Sequence, residues 1–214
     1  MPLKFLIYYC LLLVAACAGA VRFRRLSFPD KIIALVTIMA LVNEILSLVA
    51  EKVFHNNLPL YHIFCPIELL LISLYFDRSI HFFSHNRIAF AIGITAVPLS
   101  ILNTIFVQKI RTINSYFLLL EGLIIIMFCL ISLHQILMEE EHLPYRFAQF
   151  WISSSLLIFW GTTYTGWGIY ALLAPNDPVV RFMFGNLLVG INYLLYFIIA
   201  AVFFYYKKLA PSGE

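Results

Sequence analysis

The chain has 214 residues, 63% of them hydrophobic and only 12% charged, with a mean hydropathy of +0.93 and a net charge of +3. A soluble domain carries about 45–50% apolar and about 25% charged residues, so this composition excludes an ordinary water-soluble fold and makes lipid the expected solvent. The small positive balance comes from lysines and arginines between apolar runs; no basic face alternates with stacking aromatics, which argues against a nucleic-acid partner.

A membrane-crossing helix needs about 20 apolar residues at about 1.5 Å rise each. Seven runs qualify, near 3–21, 31–50, 58–76, 88–107, 113–137, 148–173 and 183–206. Backbone groups in lipid must be satisfied within the segment, and the runs are continuous rather than alternating, so helices are predicted and a β-barrel is not. The expected fold class is all-α: a polytopic seven-helix bundle forming one domain, since no linker is long enough to divide it. Pro66 and Pro98 fall inside spans, where neighbouring helices tolerate them.

The first run is preceded only by Lys4 and followed by Arg22, Arg24 and Arg25, the reverse of a cleavable signal. It reads as a retained helix with its N-terminus outside. That orientation gives the inner side Arg22, Arg24, Arg25, Lys31, Arg78, Arg87, Arg146, Lys207 and Lys208, and the outer side Lys4, Lys52, Lys109, Arg111 and Arg181, nine against five of the 14 basic residues. The excess follows the positive-inside rule and puts the C-terminus in the cytoplasm of a cell whose plasma membrane, the inner membrane of a bacterium, holds the bundle. Asn56, Asn57 and Pro59, and later Pro175, Asn176, Asp177 and Pro178, supply turn chemistry. Cys10, Cys17, Cys65 and Cys129 lie in apolar runs without a C-x-x-C pair and read as small buried hydrophobes.

The stretch RTINSYFLLLEGLIIIMFCLISLHQIL (111–137) is the most informative, because Asn114 and Glu121 interrupt an otherwise apolar helix. Glu44 and Glu68 stand comparably deep in two other spans, and no lysine or arginine does. A charge at the bilayer centre costs at least about 2.5–3.5 kcal/mol. Three such acids must therefore be largely protonated, line a wet cavity, or surround something cationic. Asn43 and Ser47 accompany Glu44; Asn192 and Tyr196 lie on the last span; His62 and Asn103 lie in the outer half. A polar pocket in the outer half is expected, lined by Asn43, Glu44, His62, Glu68, Asn103, Asn114, Glu121, Asn192 and Tyr196, set against the alternative of a hydrogen-bond network that only holds helices together.

In WGTTYTGWG (160–168), Gly161, Thr165 and Gly168 at i, i+4 and i+7 form a small-residue stripe expected to pack against a neighbour. Ser153, Ser154 and Ser155 lack the glycine frame of a nucleophile elbow and are expected to bond back to the helix.

Three functions compete for such a pocket. The first choice is a sensor or receptor that binds a small ligand and signals through a separate membrane or cytoplasmic partner; self-association is left open. The second is a membrane-embedded hydrolase whose metal would be held by Glu44, His62, Glu68 and Glu121, although no H-E-x-x-H or G-x-S-x-G motif supports it. The third is a proton- or cation-coupled carrier. A receptor needs a closed inner end and a carrier needs access from both sides. Retinal is not expected, since a Schiff base needs a buried lysine and the last span has only Lys207 and Lys208 at its end.

The segments LYHIFCPIE (60–68), NSYFLLLE (114–121) and FWISSSLLIF (150–159) resemble a family of small bacterial seven-helix membrane proteins with no assigned activity. The resemblance implies the seven-helix layout and supplies no ligand or catalytic residue. The motifs of the rhodopsins and of the ceramidase-like hydrolases are absent.

Overall fold

The structure is a computed structural model that describes residues 2–139, 143–173, 178–209 and 211–212. Eight α-helices carry almost all of the described chain: α1 (Leu3–Arg22), α2 (Phe28–Phe54), α3 (Leu58–Ser79), the short α4 (His81–Asn86), α5 (Ile88–Leu102), α6 (Ser115–Glu139), α7 (Ala148–Leu173) and α8 (Pro178–Tyr205). Among the described residues there is no strand. Among the described residues six helical segments are long and apolar enough to cross a membrane, those of α1, α2, α3, α5, α6 and α8. The seventh expected span is a helix of 26 residues, α7, but it falls short in hydropathy. Gln149, three consecutive serines and the threonines at 162, 163 and 165 dilute it.

Local chemistry sets the helix ends. Ser27 caps α2, accepting from the Asp30 amide at 3.4 Å, with Pro29 in the first turn, where a missing N–H costs nothing. His55 ends α2 in the left-handed region at φ 54°, and Arg87 separates α4 from α5 at φ 55°. Asp77 is fully buried; it pairs with Arg87 at 3.2 Å and accepts from the Phe90 amide at 3.3 Å. That contact satisfies one of the orphan N–H groups at the start of α5. Pro98 sits inside α5, which ends in a π-helical turn over Asn103–Val107.

Packing partners define a ring. α1 packs on α2, α2 on α3, α3 on α6, α6 on α7, α7 on α8, and α8 on α1, while α5 packs chiefly on α3 from outside. The ring is inside-out relative to a soluble protein. Large apolar side chains such as Leu6, Leu13, Ile45, Ile63, Leu130 and Phe197 are exposed around its perimeter, as lipid contact requires. Cys10 and Cys17 also lie on this exposed surface, and only Cys65 and Cys129 are buried, which corrects the expectation for the first pair. A helix face that looks to lipid need not hide its small hydrophobes.

Glycine sets the closest approaches, at positions other than those expected. A Cβ on Gly166 would lie 2.5 Å from the Phe184 ring, whereas one on Gly161 would meet nothing within 4 Å. Thr165 is exposed and bonds back to the Gly161 carbonyl at 2.7 Å. The stripe that packs α7 against α8 thus runs through Gly166, and the Gly161–Thr165 face is open; the surroundings of Gly168 and the turn chemistry expected of Pro175, Asn176 and Asp177 lie outside the described residues. At Gly93 a Cβ would stand 2.7 Å from the Ser73 Cβ and 3.2 Å from the Leu70 Cα. Gly93→Ala is expected to cost about 1–3 kcal/mol by pushing α5 off α3. Thermal unfolding in micelles checks it, and an unchanged midpoint would mean that the two helices lie farther apart.

Candidate functional site

The ring brings acids from three helices to its axis. On α3, Tyr61, Cys65 and Glu68 recur at i, i+4 and i+7, one face of a helix. On α6, Glu121 is fully buried between Phe117 and Ile125, one turn to either side, both also buried. The Glu121 carboxyl neighbours that of Glu68 and lies within reach of the Cys65 thiol, and no nitrogen or oxygen donor meets either of its oxygens among the described residues. Glu68 borders a cavity of about 30 Å³ together with Thr37 and Tyr196, with walls of Ile33, Ile72, Ile152 and Leu156. That volume holds about two water molecules.

Tyrosines connect this pair to the third acid. Tyr196 lies between Glu68 and Glu44. Its ring centroid is 5.8 Å from that of Tyr8, whose hydroxyl donates to Glu44 Oε1 at 3.0 Å; the Tyr9 hydroxyl reaches Oε2 at 3.5 Å. Tyr61 flanks Glu44 from α3. The result is a polar track, Tyr9–Glu44–Tyr8–Tyr196–Glu68–Glu121, across α1, α2, α8, α3 and α6. The one ion pair among the described residues, Arg87–Asp77, is elsewhere. Two carboxyls side by side in a medium of low dielectric interact strongly, so the arrangement favours one added positive charge, a proton or a small cation, over none.

The remaining expected pocket residues go elsewhere. His62 bonds Thr104 Oγ1 through Nδ1 at 2.8 Å and the Thr112 carbonyl through Nε2 at 2.9 Å. Asn103 donates to Asn114 Oδ1 at 2.7 Å and to Gln108 Oε1 at 3.1 Å, and Gln108 donates to Ser115 at 2.8 Å. These residues knit the π turn and the 108–114 loop onto α3 and the start of α6. Asn192 donates to the Leu188 carbonyl of its own helix at 2.7 Å. Asn43 is buried one residue from Glu44. The set Glu44, His62, Glu68 and Glu121 is therefore not assembled around one point, and among the described residues no group of three or more His, Cys, Asp or Glu side chains could hold a metal ion. Both histidine nitrogens are engaged by the loop. His62→Ala is expected to cost about 1–3 kcal/mol through its two lost bonds, without altering any response that depends on Glu121; a melting curve and a binding titration of the same sample separate the two.

Of the serines on α7, Ser155 bonds back to the Ile152 carbonyl at 2.9 Å, while Ser153 instead meets Ser132 of α6 at 2.9 Å, where Gln149 also donates. They tie α6 to α7.

The end of the ring opposite the loop is filled. Asp30 is fully buried; its Oδ2 accepts from Ser27 Oγ at 2.6 Å, Tyr206 at 2.7 Å and the Ser212 amide at 3.1 Å. Beside it Phe76 and Phe83 both pack on Phe128, with ring centroids 5.6 and 5.4 Å apart. Sequence reasoning missed Asp30, Asp77 and the tyrosines of α1. Ser27–Asp30 does carry the S-x-x-D spacing of a helix start; nothing in a lone Tyr8 marks it as a partner of Glu44.

The fold and these buried acids define a multi-pass helical membrane protein. No family model, no curated protein and no solved structure matches the chain, so the chemistry is argued from its own side chains.

Proposed function

We propose that the chain crosses the plasma membrane of a bacterium seven times, N-terminus outside, as a sensor whose input is one positive charge bound between Glu68 and Glu121. The observation that carries this reading is the pair of neighbouring carboxyls, one of them met by no nitrogen or oxygen donor among the described residues and the other bordering a water-sized cavity. Cavity size narrows the ligand. Sites for drug-sized molecules measure about 300–1,000 Å³, so the small ligand expected from sequence becomes a proton or a small cation. The seventh crossing is α7, which packs between α6 and α8; at 26 residues it is long enough for the hydrocarbon layer, and the hydroxyls of Ser153, Ser155 and Thr165 bond a neighbour or its own backbone.

Sensing is preferred to carriage because the described side chains around Asp30 and the phenylalanines are buried and packed on one another, and a carrier needs access from both sides. The input changes the repulsion between α3 and α6, and the output passes through the helices to a separate partner. The carrier remains the second reading on the strength of the tyrosine–glutamate track, whose hydroxyls and carboxyls could relay a proton.

Proteoliposomes distinguish them. Steps of pH or of sodium concentration should alter the emission of Trp160, which stacks on the turn next to Glu121, while flux of protons or sodium stays at the level of protein-free vesicles. Flux that disappears in Glu121→Gln would replace the sensor by the carrier. Orientation is checked separately by cysteines at Asn57 and Ser84 in a cysteine-free background: impermeant reagent added to whole cells should label the first and spare the second.

A further inference from the structure

We propose a second, independent site, for a monovalent hard cation such as sodium, at the sealed end between α2, α3 and the C-terminal tail, with Asp30 Oδ1, the hydroxyls of Tyr75 and Ser79, and the hydroxyl of Ser212 as its ligands. What points to it is a concentration of unmet bonding capacity. Among the described residues eleven buried side-chain polar atoms lack a hydrogen-bond partner, and four of them are these. Buried polar atoms are almost always paired, so a cluster of orphans needs a cause. The four belong to one locality. Tyr75 and Ser79 are one helical turn apart on α3, the Tyr75 hydroxyl faces Asp30, Ser79 and Ser212, and the Ser212 amide holds the tail on Asp30 at 3.1 Å.

The carboxylate is used unevenly. Oδ2 takes three donors, from Ser27, Tyr206 and the Ser212 amide, while Oδ1 takes none. The Tyr75 hydroxyl faces Asp30, and the hydroxyls of Ser79 and Ser212 face that of Tyr75; all four residues are nearly or wholly buried. An all-oxygen donor set is what a hard cation uses, in place of the nitrogen and sulfur preferred by zinc or copper. The charge count selects monovalence: one carboxylate and three neutral hydroxyls balance a single positive charge. Arg78 is turned to the Phe28 ring at 5.6 Å and Lys208 to the Tyr205 ring at 5.7 Å, and no cationic side chain pairs with Asp30 among the described residues. A cation here accounts for the buried charge and the four orphans together, and it ties residues 211–212 to the bundle.

The test uses full-length protein in nanodiscs, melted in sodium, potassium or choline chloride at equal ionic strength. Wild type should melt about 3–8 °C higher in sodium than in choline. Ser79→Ala and Tyr75→Phe each remove a single hydroxyl and keep the rest of the side chain, so both should fold and stay close to the choline midpoint while losing the sodium increment. Glu121→Gln should retain the increment, which separates this site from the acid pair on the ring axis. Equal midpoints in sodium and choline would mean that buried water serves these atoms, and overturn the proposal. So would an increment that survives both hydroxyl deletions or vanishes only in Glu121→Gln.

Discussion

Glu121→Leu is expected to raise the stability of the protein by about 1–3 kcal/mol and to abolish its response to pH or cations. Glu121 is fully buried, and no nitrogen or oxygen donor meets its two oxygens among the described residues. An unsatisfied buried polar group costs about 1–3 kcal/mol, and replacing buried ionic groups by apolar ones of similar volume is neutral or stabilising. Leucine fits among Phe117, Ile125 and Cys65, and it leaves Glu68 without a second carboxyl. A residue kept at a cost in stability is the mark of a functional group. Denaturation in mixed micelles gives the stability change, and Trp160 emission gives the response. A destabilised leucine variant would mean that Glu121 has bonding partners that hold the ring together, and that its role is structural.

Asp30→Ala should move stability the other way, by about 3–5 kcal/mol. Removing this carboxyl strands three donors at once, the hydroxyls of Ser27 and Tyr206 and the amide of Ser212, and bonds to charged groups are worth about 1.5–3 kcal/mol each. It also loosens the cap of α2, because Ser27 is held by the same oxygen that it donates to. The tail should become sensitive to protease, and the melting transition should fall by several degrees. A melting point within about 1 °C of wild type would show that Asp30 does not seal this end. The two buried acids therefore have opposite expected signs, although a hydropathy plot treats them alike. Bonded neighbours, rather than depth, make the difference.

The helices were legible because apolar runs of about 20 residues admit one backbone solution in lipid. Their number was less so. α7 mixes Gln149, serines and threonines into its run, and whether such a helix crosses depends on the neighbours that cover it. Glu68 and Glu121 stand out in sequence by their charge, and helical spacing puts Tyr61 and Cys65 on the face of Glu68. What spacing along one helix does not reveal is which helices meet. His62 and Asn103 have the same outer-half depth as a ligand pocket would require, yet they fasten a loop. Residues 109–114 lie outside any helix and α6 begins at Ser115, so Glu121 is about 9 Å along its helix, nearer its start than an apolar run counted from Arg111 implies. Tyr8 and Tyr9, unremarkable in an apolar run, become partners of Glu44 only when α1 packs on α2.

A double-mutant cycle on Glu68 and Glu121 goes most directly to the central proposition that the two acids hold a single positive charge between them. The reporter is Trp160 in a Trp151→Phe, Trp167→Phe background, titrated with protons and with sodium in nanodiscs. The proposition requires strong non-additivity: Glu68→Gln and Glu121→Gln each remove most of the response, and the double variant loses little more, a coupling of about 1–3 kcal/mol. Strictly additive losses, or a titration that persists with both carboxyls gone, would contradict it.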